Sequence, residues 1–276
     1  MSAMDTGQKM LRSNRLKQVF TEGRRPAMGF WQMLPGANVS RILARSGADW
    51  VMVDCEHGNI DDAAMHEAVP AIAALGVSPI VRLPSIEPWM VKRALDTGAH
   101  GILVPLIRTV EEVKSVVAAV KFPPEGQRGF GSPFVLQNFE AGLSLTEYLQ
   151  QANDSLLTMV QIETREALDS VEDIAPLVDV VFIGPYDLGN NIGHPILGDK
   201  MDPELRDAIE RVLRAAVAAG RKCGIYCISG AQAKHYADMG FHMISVATDY
   251  STLGEEMVKR LAIARGQAQG DEGGSY

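Results

Sequence analysis

The sequence predicts a (β/α)8 barrel, and three observations carry that prediction. Eight short apolar runs alternate with segments of helical periodicity, the pattern of parallel strands joined by crossover helices. A length of 276 residues suits one barrel, typically ~250 residues, better than two independent domains. Several runs also end on a charged side chain, as strands do at the face where barrels carry their sites. A doubly wound open sheet is the competing fold. It is disfavoured because no Gly-rich dinucleotide turn follows the first apolar run.

The stretch from Thr158 to Leu188 anchors this reading. An apolar run at 156–162 ends on Glu163, and Ala167, Val171 and Ile174 follow at helical spacing. A second run, 178–183, breaks at Gly184-Pro185 and presents Asp187. This is a βαβ unit, and its right-handed crossover places both strand ends on one edge of the sheet.

The other elements follow in order. Residues 1–24 are polar and basic around Leu16, Val19 and Phe20, which predicts a short helix closing one end of the fold. Residues 27–31 form the first strand, and 40–46 a helix with Gly47 as its C-cap. Residues 50–54 form the second strand, followed by Cys55-Glu56-His57-Gly58 and a helix opened by Asp61. The third strand is 78–82, ending on Arg82. A helix at 89–96 and the fourth strand at 101–104, stopped by Pro105, come next.

Thr109 and Glu112 make a capping box before a valine-rich helix. Residues 122–140 read as a loop too long for a simple connector, and long loops of this kind cover sites. Beyond the anchor unit, 189–201 is a loop and Asp202-Pro203 starts a helix. Strand seven is 222–228, helix seven 231–239 and strand eight 241–247. A last helix spans 253–265, and the Gly-rich tail from 266 buries too little to order itself. The domain division is thus an N-terminal segment 1–24, a barrel 25–265 and a tail 266–276.

Composition limits the partners. With 46% hydrophobic residues the chain can build one large core, and 34 acids against 26 bases give a net charge of −8. That balance argues against nucleic acid or an anionic membrane as partner. No stretch approaches the ~18 consecutive apolar residues of a membrane span. Three cysteines, Cys55, Cys223 and Cys227, make no disulfide framework, which points to a reducing cytoplasm.

The predicted strand ends gather His57, Arg82, Glu163 and Asp187 on one rim. Two carboxylates meeting there suit a divalent cation with hard oxygen ligands; the alternative is a pair of solvated loop acids. For Arg82 the structural alternative is an ion pair with Asp54 or Glu56. For His57 it is a cap on the helix opened by Asp61.

Six segments are more specific. D-x-E-H-G at 54–58, V-R at 81–82, V-P at 104–105, R-G-x-G-S at 128–132, V-Q-I-E-T at 160–164 and F-I-G-P-x-D-L at 182–188 resemble the HpcH/HpaI aldolase family. The likeness runs through roughly residues 25–262. It implies a (β/α)8 barrel assembled as a hexamer, a trimer of dimers, with the last helix exchanged between paired subunits. The implied activity is a class II aldolase that reversibly cleaves 4-hydroxy-2-oxo acids to pyruvate and an aldehyde, through an enolate stabilised by Mg2+, Mn2+ or Co2+. An oxaloacetate decarboxylase of the macrophomate synthase kind would use the same enolate. An oxo-acid-binding barrel without turnover is a third reading. By motif, Glu163 and Asp187 correspond to metal ligands, Arg82 to the group on the pyruvate oxygens, His57 to the general base and Asp96 to the acid that orients it. Trp31, Ser132, Gln161 and Tyr186 are expected beside the substrate. Tyr186 stands where many bacterial members have a small residue, so it should narrow the aldehyde side.

Overall fold

The computed structural model describes residues 8–198 and 200–267 of the chain. Eight parallel strands close into a barrel in chain order. They are β1 Ala27–Gln32, β2 Trp50–Asp54, β3 Ser78–Arg82, β4 Gly101–Val104, β5 Leu157–Ile162, β6 Val180–Ile183, β7 Lys222–Ile225 and β8 Met243–Thr248. β8 pairs with β1, so closure leaves no sheet edge exposed.

Strands buried on both faces read as continuous apolar runs, and their alternation emerges only when the barrel closes. Trp50, Met52, Ile80, Leu103, Leu157, Met159, Val180, Phe182 and Met243 then point inward and form one buried cluster. Their outward neighbours, such as Val51, Val81, Val160 and Val181, join the layer beneath the helices. Large and small residues complement each other inside. A Cβ at Gly29 would overlap the Trp50 ring, and one at Gly224 the Phe182 ring. Continuing the inward alternation along the strands reaches Trp31, Asp54, Arg82 and Gln161.

The helix Arg15–Glu22 closes the strand-start end, inserting Leu16 and Val19 into the inner cluster. Asn14 caps that helix through Lys17 N (3.2 Å), and its amide donates to the carbonyls of His100 (3.0 Å) and Ser155 (2.9 Å). His100 is buried beside it. Its Nε2 lies 2.9 Å from the Asn138 carbonyl, which can only accept, so Nε2 carries the proton. Nδ1 lies 3.1 Å from Ser78 Oγ.

Three expectations change, and one element is added. The helix Leu145–Ser155 fills the stretch between the loop 122–140 and the run 156–162, where no element is predicted although Ser144 and Glu147 form a capping box that signals it. Strand seven stops at Ile225 rather than 228, and Tyr226, two residues past the inward Gly224, keeps the inward side. Pro185–Ile192 is helical, so Asp187 sits in a first helical turn, and the last helix starts at Asp249 instead of 253.

The long loop 122–140 does not cover the site end of its own barrel. It follows a helix, and helices return to the strand starts. There Asn138 holds His100 and Thr97 O (2.7 Å), and Glu140 N donates to Ser13 Oγ (2.7 Å). Most of the tail predicted from 266 lies outside the described residues, as do residues 1–7. Among the described residues no helix is long and apolar enough to cross a membrane.

Burial makes protonation of His100 unfavourable and lowers its pKa to about 4, against the pull of the Asn138 carbonyl. Because the folded value is below the unfolded one, stability is full above the unfolded pKa and falls as pH drops towards the folded one. Urea unfolding of the wild type should lose up to about 3 kcal/mol from this group between pH 7 and 4. His100→Gln should be less stable at neutral pH but lack that part of the slope. Parallel pH profiles for the two proteins would refute the assignment.

Candidate active site

At the strand-end mouth, β2, β3 and β5 bring a charged chain of hydrogen bonds together. Arg82 Nε and Nη2 reach Asp54 Oδ1 and Oδ2 at 2.9 and 2.5 Å. Asp54 is fully buried and also accepts from Trp31 Nε1 (2.9 Å) and from the amides of Glu56 (3.0 Å) and His57 (3.2 Å). One carboxylate therefore fixes the guanidinium, the indole and the turn that carries His57. Burial works to raise the Asp54 pKa, but the Arg82 hydrogen bonds and charge overcome it and hold the value below the ordinary carboxylate range. The structural alternative for Arg82 is thus realised, because Glu56 Oε2 also lies 2.9 Å from Nη1. Asp54 thus takes Nε and Nη2 and Glu56 takes Nη1, while the guanidinium still lines the cleft.

Gln161 links the cation to the acids. Its Oε1 lies 3.4 Å from Arg82 Nη1, and its Nε2 donates to Glu163 Oε2 at 2.7 Å. Glu163 Oε1 accepts from Leu106 N (2.7 Å), and Leu106 holds that amide in place with φ of 52°. A left-handed leucine is strained, and strain of this kind clusters at working sites. Burial pushes Glu163 up to about 7, against the Leu106 amide and with help from the charges of Asp187 and Glu56.

Glu163 and Asp187 share the mouth, and the residues present fit a cation. Burial first, and then the charges of Asp187 and Glu56, disfavour a bare Glu163 carboxylate, and Arg82 offsets them only in part. Gly184 keeps room at its oxygen, since a Cβ there would overlap Glu163 Oε2. Two carboxylates leave further positions to water and substrate, as Mg2+ and Mn2+ prefer. Among the described residues, three His, Asp or Glu side chains with ligand atoms within 4.8 Å of one another occur at His194, Asp202 and Glu204. That trio is half-exposed to exposed, outside the cleft lining, with His194 Nδ1 3.2 Å from Asp202 and 3.8 Å from Glu204.

The cleft holds about 200 Å3 and brings together Trp31, His57, Arg82, Gln161, Tyr186 and Asp187 of the predicted residues. His57 is exposed at the rim, 3.8 Å from Glu56 Oε1. A larger hollow of about 370 Å3, between the helices Asp62–Ala73 and Pro88–Asp96, is mainly apolar and lacks this convergence.

Two predicted residues lie elsewhere in the chain. Asp96 ends the helix Pro88–Asp96, whose end leads back to the start of β4, and it accepts from Arg128 Nη2 (3.1 Å). Ser132 Oγ donates to the Asp96 carbonyl (2.8 Å). Neither belongs to the cleft within one chain, because a helix following β3 carries its last residue away from the strand ends.

Four residues of the site, Asp54, Glu56, Gly184 and Tyr226, were absent from the predicted set. Inward parity from Trp50 and Met52 signals Asp54. The same parity, counted from the inward Gly224, signals Tyr226.

A profile of the HpcH/HpaI aldolase/citrate lyase family matches residues 27–255. The chain belongs to this family. It is 33% identical over 237 residues to the hydroxypyruvate/pyruvate aldolase of Roseovarius nubinhibens, covering 85% of this chain and 91% of that one. It is 35% identical over 242 residues to the 4-hydroxy-2-oxo-heptane-1,7-dioate aldolase of Salmonella dublin, covering 87% and 90%. The crystal structure of macrophomate synthase superposes with a TM-score of 0.81 at 27% identity, covering 93% of this chain and 89% of that one. This HpcH/HpaI chain is accordingly a carbon–carbon lyase of the aldolase type, and the reading as a barrel without turnover falls away.

Asp54→Asn keeps the shape but leaves Arg82 buried beside a neutral partner. Breaking one side of a buried pair typically costs about 3–5 kcal/mol. The urea midpoint of this variant should fall accordingly, and an unchanged midpoint would mean that Glu56 alone holds the guanidinium.

Proposed function

We propose that this HpcH/HpaI chain is a divalent-metal-dependent aldolase that reversibly cleaves 4-hydroxy-2-oxo acids to pyruvate and an aldehyde. The observation carrying the proposal is that Arg82 and Asp187 line one cleft and that Gln161, in the same lining, joins Arg82 to the buried Glu163 behind it. Both curated relatives described above are aldolases of oxo acids, which supports the same reading.

Mg2+, Mn2+ or Co2+ held by Glu163 and Asp187 would supply a Lewis acid for the 2-oxo group. Arg82, fixed by Asp54 in the lining of the cleft, offers its positive charge to the oxygen where charge gathers as the carbon–carbon bond breaks. A preorganised donor of this kind is worth about 3–4 kcal/mol of barrier. Gln161 keeps Glu163 and Arg82 in register. His57, at the rim, takes the proton of the 4-hydroxyl in cleavage and returns it in condensation. Trp31 lies under the Arg82 guanidinium, 4.9 Å from it, and presses it towards the cleft. Decarboxylation of oxaloacetate would use the same groups, and the likeness to macrophomate synthase makes it the second reading.

Chelator-treated enzyme should lose pyruvate release from 4-hydroxy-2-oxo acids and regain it with Mg2+, Mn2+ or Co2+. Oxaloacetate in the same assay separates the two readings. Glu163→Gln should lower kcat by 100-fold or more at saturating metal. Full turnover after exhaustive chelation would sink the proposal.

Assembly belongs to the same reading. The helix Asp249–Ala264 buries only Asp249, whose carboxylate accepts from Met33 N (2.9 Å) and Leu34 N (3.0 Å). Leu253, Met257, Val258 and Leu261 stay 50–70% exposed. On the barrel wall, Met28, Phe30 and Val246 of β1 and β8 are only half-buried, whereas Val51, Val81, Ile102, Val160, Val181 and Ile225 of the other strands are buried. An apolar helix without a bed and a wall without a cover support exchange of this helix between paired subunits of a hexamer. Assembly would also let Asp96 of one copy reach His57 of another, which a single chain does not allow. The free cysteines, buried or half-buried, fit a cytoplasmic setting.

Val258→Asp combined with Leu261→Asp changes residues exposed in one chain, so a monomeric enzyme would tolerate both. Light scattering should instead report dissociation of the oligomer into smaller species. An unchanged mass for the double variant would refute the exchange.

A further inference from the structure

The cleft has two chemically different arcs. β2 to β6 contribute Asp54, Arg82, Gln161, Glu163 and, just past β6, Asp187. The remaining arc, β7 through β8 to β1, contributes rings. Tyr226 follows β7, Trp31 is the penultimate residue of β1, and Tyr186 closes the gap from the β6 side. Tyr226 meets Trp31 edge-on at 5.2 Å and Tyr186 at 6.5 Å. The Tyr226 hydroxyl shares a hydrogen bond of 2.9 Å with Thr248 Oγ1 of β8, which fixes the ring. Phe182 supports Trp31 from below, 5.8 Å away. Met33 adds a thioether at the mouth.

No lysine lines the cleft among the described residues, and its one guanidinium is already shared by Asp54 and Glu56. Within one chain, a carboxylate on the aldehyde would enter an aromatic wall beside Asp187 and Glu56. Desolvating a charge without a partner is unfavourable, whereas apolar and aromatic groups gain from ring contacts.

We propose that the aldehyde taken or released by this enzyme is uncharged, with an apolar or aromatic substituent seated against Trp31, Tyr186 and Tyr226. This rests on the pyruvate aldolase reading above and names the second substrate class that it leaves open. In the condensation direction, the pyruvate methyl carbon loses a proton to the enzyme and attacks the aldehyde carbon. The new carbon–carbon bond forms as the aldehyde π bond breaks, and its oxygen takes the electron pair and a proton. The product is a 4-hydroxy-2-oxo acid whose chain ends in a neutral group.

The test uses the Mn2+-supplemented full-length enzyme, pyruvate and two aldehydes of matched shape. 4-Methylpentanal and succinic semialdehyde differ in an isopropyl against a carboxylate, and benzaldehyde serves as the aromatic case. The kcat/KM for 4-methylpentanal and for benzaldehyde should each exceed that for succinic semialdehyde by about tenfold or more, the scale of discrimination at one group. In Tyr226→Ser the preference should fall severalfold, and Tyr186→Ser should move it in the same direction. A ratio of one or below in the wild type overturns the proposal. A preference unchanged in both variants overturns its assignment to the aromatic arc. Deuterium exchange at the pyruvate methyl, measured without aldehyde, separates the two levels. Exchange with the wrong aldehyde preference refutes only the substrate class. Absence of both exchange and condensation refutes the aldolase reading itself.

Discussion

The buried pair of Asp54 and Arg82 is the constraint on which the mouth of this barrel depends. A guanidinium in that position carries a large desolvation penalty, and only a two-point contact from a carboxylate of matching geometry offsets it. Asp54 can supply it because β2 and β3 are neighbours in register, with Asp54 opposite Arg82. The same carboxylate then holds the Trp31 indole and the amides of Glu56 and His57. One acid on one strand end thereby orients groups from β1, β3 and the turn after β2. A site built this way is stiff, which suits a reaction whose barrier falls through preorganised charge rather than through motion.

Electrostatic imbalance is the second theme. The mouth collects Asp54, Glu56, Glu163 and Asp187 around a single arginine. Asp54 is satisfied, and Glu163 is raised to about 7. An acid cluster of this kind is stable only with additional positive charge or with protons. The same excess explains why the opposite arc can be aromatic without cost. Rings at Trp31, Tyr186 and Tyr226 need no counter-charge, and they exclude water from the place where Arg82 acts.

Departures from the expected site share one cause. Asp96 and Ser132 lie in motifs that the resemblance places at the substrate, yet within one chain they sit with Arg128 on the barrel flank. A motif records that residues recur together, not which copy they serve. Leu106 shows the complementary gap. Its left-handed backbone presents an amide to Glu163, and no feature of the Pro105-Leu106 sequence announces that conformation.

By itself the sequence determined the barrel, the order of its strands and the rim carrying His57, Arg82, Glu163 and Asp187. Apolar runs, breaks and caps are local signals, and parallel connectivity turns strand ends into one face without further information. Thr109 with Glu112 and the Gly184-Pro185 break were legible in this sense. Only the tertiary structure decided that Asp54 is the partner of Arg82, that Tyr226 joins the cleft, and that the loop 122–140 lies at the other end. Partner choice depends on register between strands far apart in the chain, and which inward side chains reach the mouth depends on the stagger of the strands around the barrel. Neither is encoded in a window of neighbouring residues. Both follow only when eight strands close on one another and each inward position meets the one opposite.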